Sequence, residues 1–355
     1  MPTIDLKDIL GTCEFIFSQR VAQQIKFGTK GRVLMCVKDS EMESGYTLDT
    51  YKTSLTNVED DDMELRLQQI WKRNPLQVQV FTHSGTLASH SETLQNLAFD
   101  WIFSLDAESQ TTVQNFAKTY EVFGLVYNLA SDNEWVISVN NPSAKLANGV
   151  ELGGSSTITG YDLLPIIAGA CAGCDYDKSI TNFVFDELEE VTAPSTYAEG
   201  QVTLYNEEEG VRVASPVTTL LTTTSTENTA DMQSITIMEG IKRFITDVKY
   251  TFRTGYKGRY KNKYDNVMLF ISACNGYIKK LCDADILDEE YNNTVDVDCA
   301  TVRNLWIESG KDEDVINQMS DAEIRRLTFK KTMALIFDVK FLDAIESCKI
   351  RVQMY

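Results

Sequence analysis

Two cysteines stand two residues apart in the stretch IIAGACAGCDYDKSITN (166–182), as Cys171-Ala172-Gly173-Cys174. A pair so spaced can serve as a redox dithiol or as half of a structural zinc site. Zinc needs four ligands, usually in two close pairs. This sequence offers one pair, and its only two histidines, His83 and His90, lie far upstream. Cys282 and Cys299 would complete a site only by an accident of folding. A redox pair wants a helix amino terminus, where the dipole lowers a thiol pKa. Here the pair follows YDLLPIIAGA, an apolar helical stretch, which places it near a helix carboxyl end. Ala168, Gly169, Ala170, Ala172 and Gly173 surround it with the smallest side chains. Close packing is the preferred reading of these letters; a metal- or thiol-dependent enzyme using Cys171 and Cys174 is the alternative.

No other catalytic pattern stands out. GxSxG and HExxH are absent, and no GxGxxG or GxxxxGK[ST] sits at a strand-to-helix turn. Asp and Glu are abundant, but spacing alone does not converge two of them on a cleft. Neither an enzyme nor a cofactor is expected. The eight cysteines (Cys13, Cys36, Cys171, Cys174, Cys274, Cys282, Cys299 and Cys348) are scattered, and most read as small core residues in a reducing compartment. No run approaches the roughly 18 apolar residues of a membrane helix. MPTIDLKDIL lacks the layout of a signal peptide, so folding in a cytoplasm is expected.

The net charge of −19 comes from acidic runs at Glu59–Asp62, Asp186–Glu190, Glu207–Glu209 and Asp283–Glu290, which read as solvated loops or helix faces and argue against nucleic acid. One region runs the other way. Lys242, Arg243, Lys249, Arg253, Lys257, Arg259, Lys261 and Lys263 stand against a single Asp247, with Phe244, Tyr250, Phe252, Tyr256, Tyr260 and Tyr264 interleaved. Such letters fit a single-stranded nucleic-acid surface, a solvated helix and loop, or a patch meeting an acidic protein. The protein-facing patch is preferred, with the nucleic-acid module kept as a second alternative.

The elements expected to carry these residues alternate. GRVLMCVKD (31–39) and LQVQVFT (76–82) read as strands, DMELRLQQIWKR as an acidic helix, and TLASHSETLQNLAFDW as a helix leading to the strand WIFSL. AESQTTVQNFAKTYEV follows as a helix, then FGLVYNL and EWVISVN as strands. Strand–helix–strand–helix–strand over 76–129 implies a parallel sheet, and the fold class is mixed α/β. The Thr-rich stretch 217–230 reads as an exposed strand and loop. MQSITIMEGIKRFITDVKYTF reads as a helix, and VMLFISACNGYIKKLCDADIL (267–287) as a buried strand-like start running into helix.

At the carboxyl end, Cys348, Ile350, Val352 and Met354 alternate with Lys349, Arg351 and Gln353, a period-2 strand running to the last residue. At the amino end Thr3-Ile4-Asp5-Leu6-Lys7 also alternates before Gly11, with Ile9 between. Such terminal strands pair either with their own sheet or with a neighbour's, by strand addition. Exchange in a head-to-tail sense builds rings or filaments.

YKGRYKNKYDNVMLFISACNGYIKKL, through Gly258, Lys261, Asn262, Tyr264, Asp265, Asn266, Leu269 and Tyr277, resembles the carboxyl-terminal domain of contractile tail sheath proteins. The form it resembles is the short one of phages and phage-tail-like bacteriocins from Gram-positive hosts. Ala168-Gly169 and Ala172-Gly173, followed by Ser179 and Thr181, are similar to that family's small-residue segment. GTKGRVLM and the final FLDAIESCKIRVQMY, with Leu342-Asp343-Ala344 and Glu346, are similar too. These segments occur in the family's order over most of the chain. The CxxC itself departs from the pattern, and residues 12–27 match poorly.

The resemblance implies a structural protein: sheet-and-helix sheath domains with extended β-strand arms, stacked as six-fold rings around a tail tube and contracting to drive it through an envelope. Expected divisions are 1–27 (amino-terminal arm), 28–75 (small β-rich subdomain), 76–235 (central α/β domain), 236–346 (carboxyl-terminal domain) and 347–355 (arm strand). Arm residues would be Ile4, Leu6, Ile9, Cys348, Ile350, Val352 and Met354. Lys249, Arg253, Lys257, Arg259, Lys261 and Lys263, or Arg325, Arg326, Lys330 and Lys331, would face the tube or a neighbouring copy. Implied partners are the chain itself, the tube protein, and baseplate and terminator proteins, with no nucleic acid and no membrane contact. The implied place is a virion tail or phage-tail-like particle assembled in the host cytoplasm.

Overall fold

The structure, a computed structural model, describes residues 25, 31–38, 46–50, 60–225 and 228–354, with 46–50 and Asn182 described by their backbone alone. Ile4, Leu6 and Ile9, named above as arm residues, lie outside the described residues. Contacts divide the chain into two units. One holds the described residues of Gly28–Thr246, Asp283–Asp288 and Lys340–Tyr355; the other includes Asp247–Cys282 and Glu289–Val339.

The first unit is built on a six-stranded sheet. Its strands are β1 (Arg32–Lys38), β2 (Tyr46–Thr50), β3 (Gln77–His83), β4 (Trp101–Ser104), β5 (Phe123–Tyr127) and β6 (Val136–Val139). Their spatial order is β2-β3-β1-β4-β5-β6, with β2 antiparallel and every other pair parallel. The parallel sheet expected over 76–129 is present, but β3 and β4 are not neighbours because β1 lies between them. That place suits β1: Val33, Leu34, Met35 and Cys36 are all fully buried, as a strand covered on both faces must be. At its start, Arg32 clasps Asp100 through Nε and Nη2, both at 3.0 Å, and Arg32 N donates to Asp100 Oδ2 at 2.9 Å.

Helix α1 (Asp61–Trp71) begins where Asp60 accepts from the amides of Asp62 and Met63, so part of the acidic run 59–62 serves as a cap and first turn. The helix expected over TLASHSETLQNLAFDW is instead a 3₁₀ turn and the short α2 (Ser91–Gln95). Ser89, Ser91 and Asn96 side chains each donate to a nearby backbone carbonyl, bonds that compete with a continuous helix. Helix α3 (Gln110–Tyr120) buries Val113, Phe116 and Ala117, three of the four residues at helical spacing; the fourth, Tyr120, stays 40% exposed in the last turn. Strands β7 (Ser143–Leu146) and β8 (Thr157–Thr159) precede the wholly buried α4 (Leu164–Gly173), and β9 (Leu188–Val191) completes a three-stranded sheet of order β8-β7-β9. β10 (Leu204–Glu207) and β11 (Gly210–Val213) form a hairpin with Glu208 and Glu209 at its tip. The Thr-rich segment that follows is irregular rather than a strand. Asp132 Oδ1 holds it by accepting from the amides of Leu221 and Thr222, at 2.7 and 2.8 Å.

Helix α5 (Ile235–Thr251) is followed by α6 (Tyr264–Cys282), which replaces the strand-like start expected at VMLFIS. Val267, Phe270, Ile271, Cys274, Tyr277, Ile278 and Leu281 are buried on one stripe, so the helical period over the whole segment outweighs its β-prone opening. The second unit also holds β12 (Thr294–Val297), α7 (Cys299–Glu308), α8 (Glu313–Gln318), α9 (Asp321–Arg326) and β13 (Leu335–Asp338), with β12 and β13 antiparallel.

Candidate functional site

The cysteine pair sits where the small residues placed it. Cys171 lies in the last turn of α4 and Cys174 caps that helix, 1% and 2% exposed. Burial pushes the Cys174 thiol up to about 12 and Cys171 well above its usual value, and the nearby Glu239 raises both further. Thiols held protonated are poor nucleophiles and poor metal ligands. Among the described residues no group of three His, Cys, Asp or Glu is placed to hold a metal ion.

Glu239, 6% exposed on α5, has its own carboxyl raised well above the usual range, by burial first and by Asp100 second. It is therefore neutral in the folded chain at pH values where the unfolded chain ionises it. Folding takes up a proton, so this group's contribution falls as pH rises from the ordinary carboxylate range, about 4.3, toward the folded value. Glu239→Gln removes that slope. The variant should gain stability over the unaltered chain as pH rises, with the gain disappearing near about pH 4. Urea midpoints measured across that range test this; a difference independent of pH contradicts it.

The expected carboxyl-terminal strand leaves the body. Phe341 bridges Leu287, and Leu342 N donates to the Ile286 carbonyl at 2.9 Å. Beyond these, residues 347–354 join no sheet among the described residues. Both faces of the alternation are in solvent, with Ile350, Val352 and Met354 at 82%, 77% and 90% exposure, and Cys348 exposed beside them.

The two basic clusters named as alternatives adjoin each other within the second unit. The end of α5 passes through a π-helical turn, Phe252–Tyr256, and a bend at Gly258 with φ +75. Asn262 Nδ2 then donates to the carbonyls of Phe329, Lys330 and Thr332, tying the first loop to the second at 2.9–3.3 Å. Lys257, Lys261 and Lys331 consequently line one small cavity of about 120 Å³ with Phe252, Tyr256 and Tyr260. The remaining cations differ in freedom. Lys263 pairs with Asp265 and Arg325 with Asp296. Arg253, Arg326 and Lys330 lie over the rings of Tyr250, Tyr264 and Phe329. Lys249 is exposed on α5. Lys257, Arg259, Lys261 and Lys331 are exposed, with no carboxylate partner among the described residues.

No protein-family model matches the chain. A curated relative, the tail sheath protein of Clostridium phage phiCD119, is 24% identical over 301 residues, 81% of either chain. The chain is similar to a tail sheath protein over most of its length. Solved structures share its fold. The sheath tail protein of Desulfitobacterium hafniense superposes with a TM-score of 0.63 at 16% identity, over 77% of this chain and 91% of that one. The sheath tail protein of Listeria innocua does so at 0.58 and 14%, over 79% and 91%. A chain of the anti-feeding prophage baseplate reaches 0.63 at 11%, over 92% and 93%.

Several letters behind the sheath resemblance have structural roles that spacing did not disclose. Asn262 joins the two loops, Asn266 Nδ2 donates to the Lys261 carbonyl at 2.7 Å, and Tyr277 Oη donates to the buried Asp247 at 2.8 Å. Asp247, the lone acid of the basic stretch, is thus a tie between α5 and α6. Gly31, from the GTKGRVLM segment, donates its amide to the Ala172 carbonyl at 2.9 Å, so two separate sheath-like segments meet.

Proposed function

We propose that the chain is the structural subunit of a contractile tail sheath. It stacks as six-fold rings around a tail tube, hands its terminal strands (1–27 and 347–355) to neighbouring copies, and contracts to drive the tube through a target envelope. Its partners are further copies of itself, the tube protein, and the baseplate and terminator proteins. Its place is a virion tail or phage-tail-like particle, assembled in the host cytoplasm. The observation that carries the reading is the segment 347–354, which joins no sheet among the described residues and leaves its alternating apolar side chains exposed. Each of Ile350, Val352 and Met354 gains roughly 1.5–3 kcal/mol on burial, which a second copy's sheet edge can supply. The tail sheath relative from the Clostridium phage, matched over most of both chains, supports the same assignment.

Negative-stain electron microscopy of the concentrated protein, beside a chain ending at residue 346, tests it. Tubes or stacked rings from the intact chain and single particles from the shortened one are expected. Single particles from both, even with tube protein added, contradict it.

The joined basic surface is proposed to grip an acidic tube, because exposed charge pairs are weak enough to release on firing. Reversing Lys257, Lys261 and Lys331 to Glu should cut tube co-purification while leaving tube-free polymers intact. Lost polymers with unchanged tube binding would instead assign this face to the contact between copies.

A further inference from the structure

We infer that Glu346, held by Ser179 and Thr181, and Asp343, held by Ser234, form a clamp that fixes where and in which direction the terminal strand leaves the body. The inference rests on the proposed reading of 347–355 as an exchanged arm. The chain approaches this point already anchored. Lys340 pairs with Asp288 at 2.7 Å, and Phe341 lies so close to Gly240 that a Cβ there would be 3.0 Å from the Phe341 ring. Three hydroxyls then take over. Ser234 Oγ donates to Asp343 Oδ1 at 2.9 Å. Ser179 Oγ donates to Glu346 Oε1 at 2.8 Å, and Thr181 Oγ1 reaches the same oxygen at 3.4 Å.

Each serine is oriented by the backbone. Ser234 Oγ accepts from Ile237 N at 3.4 Å at the start of α5, and Ser179 Oγ accepts from Thr181 N at 3.3 Å. A hydroxyl has one proton to give, so accepting from the amide aims that proton at the carboxylate. The acceptors are carboxylates, which makes these bonds stronger and more directional than neutral ones. They do little for the core, since Leu342 is 38% and Ile345 96% exposed. What they fix is geometry: Glu346 is the last anchored residue, and 347–354 make no hydrogen bond to the described residues. Fully extended, residues 347–354 span at most about 29 Å. Pinning their pivot confines that sweep, which raises the effective concentration of the arm at one neighbouring edge and lowers the ordering cost of docking.

Tryptic cleavage after Lys340, followed by mass spectrometry on the unassembled chain, reads the clamp directly, because that bond is accessible only when the root opens. Glu346→Ala should accelerate this cut by about tenfold or more, while cleavage after the exposed Lys349 and Arg351 stays unchanged. Glu346→Gln keeps an oxygen that accepts both hydroxyls, and should restore most of the protection. Ser179→Ala with Thr181→Val should match Glu346→Ala, and combining all three should add nothing further. In electron micrographs Glu346→Ala polymers should be fewer and irregular, and Glu346→Gln polymers regular. An unchanged rate at Lys340 in Glu346→Ala overturns the clamp. A faster rate with polymers like those of the unaltered chain overturns its positioning role. Failure of every chain to polymerise, the unaltered one included, overturns the sheath reading, and with it the positioning role; equal rates for Ala and Gln overturn the clamp in either case.

Discussion

Gly169→Val and Gly173→Val are each expected to destabilise the fold by about 3 kcal/mol, and the pair together to leave little folded protein, since a domain's whole margin is only about 5–15 kcal/mol. Helix α4 crosses α1 with backbone against backbone. A Cβ on Gly169 would stand 2.6 Å from the Ile70 carbonyl oxygen and 2.8 Å from Ile70 Cα, and one on Gly173 would overlap the Arg73 carbonyl. Backbone atoms cannot turn aside as a side-chain end can, so the helices must separate. All ten residues of α4 are buried, and Ala172 also carries Gly31 on its carbonyl; separation would therefore spread to the start of β1. Urea denaturation measures the loss. Gly276→Ala is the contrast. That glycine lies in exposed helix with nothing within 4 Å of a new Cβ, and the substitution should stabilise by about 0.5–1 kcal/mol. Equal effects at Gly173 and Gly276 would mean the small residues are not there for close packing.

Ile350→Asp with Val352→Asp should abolish polymers at concentrations where the unaltered chain forms them, without moving its urea midpoint. Both side chains are exposed in the free chain, so the fold loses nothing. In a strand docked on a neighbour they would be covered. Losing two such burials forfeits roughly 3–6 kcal/mol, which raises the polymer-forming concentration by about a hundredfold or more. Ile350→Val with Val352→Ile keeps the face apolar and should assemble. Sedimentation of each variant over a concentration series distinguishes them; normal assembly of the Asp variant would remove this face from the interface.

Much of this was legible in the sequence because burial on both faces leaves continuous apolar runs. VLMC, WIF and FGLVY are such runs, and all became parallel strands. The order of those strands was not legible: β1 separates β3 from β4 through tertiary packing, to which no local pattern is sensitive. VMLFIS read as a strand because its first residues suit one, whereas the stripe from Val267 to Leu281 appears only over the full nineteen residues of α6. The alternation at Cys348–Met354 was visible as letters. That it leaves the body without a partner is a property of the fold. The same holds for the two basic loops, which read as alternatives until Asn262 joined them. Ser179, Thr181 and Glu346 stand out in the sequence only as letters similar to the sheath family's, since residues more than 160 positions apart carry no mutual signal in one sequence.

The most direct measurement is a cryo-electron microscopy map of the assembled polymer, at a resolution that traces the chain from Lys340 to its end. Residues 347–354 are expected as a strand added to the ladder of a neighbouring copy, with Ile350, Val352 and Met354 covered and Glu346 still on Ser179. Residues 347–354 folded back on their own chain, or left unpaired in an intact polymer, would contradict it.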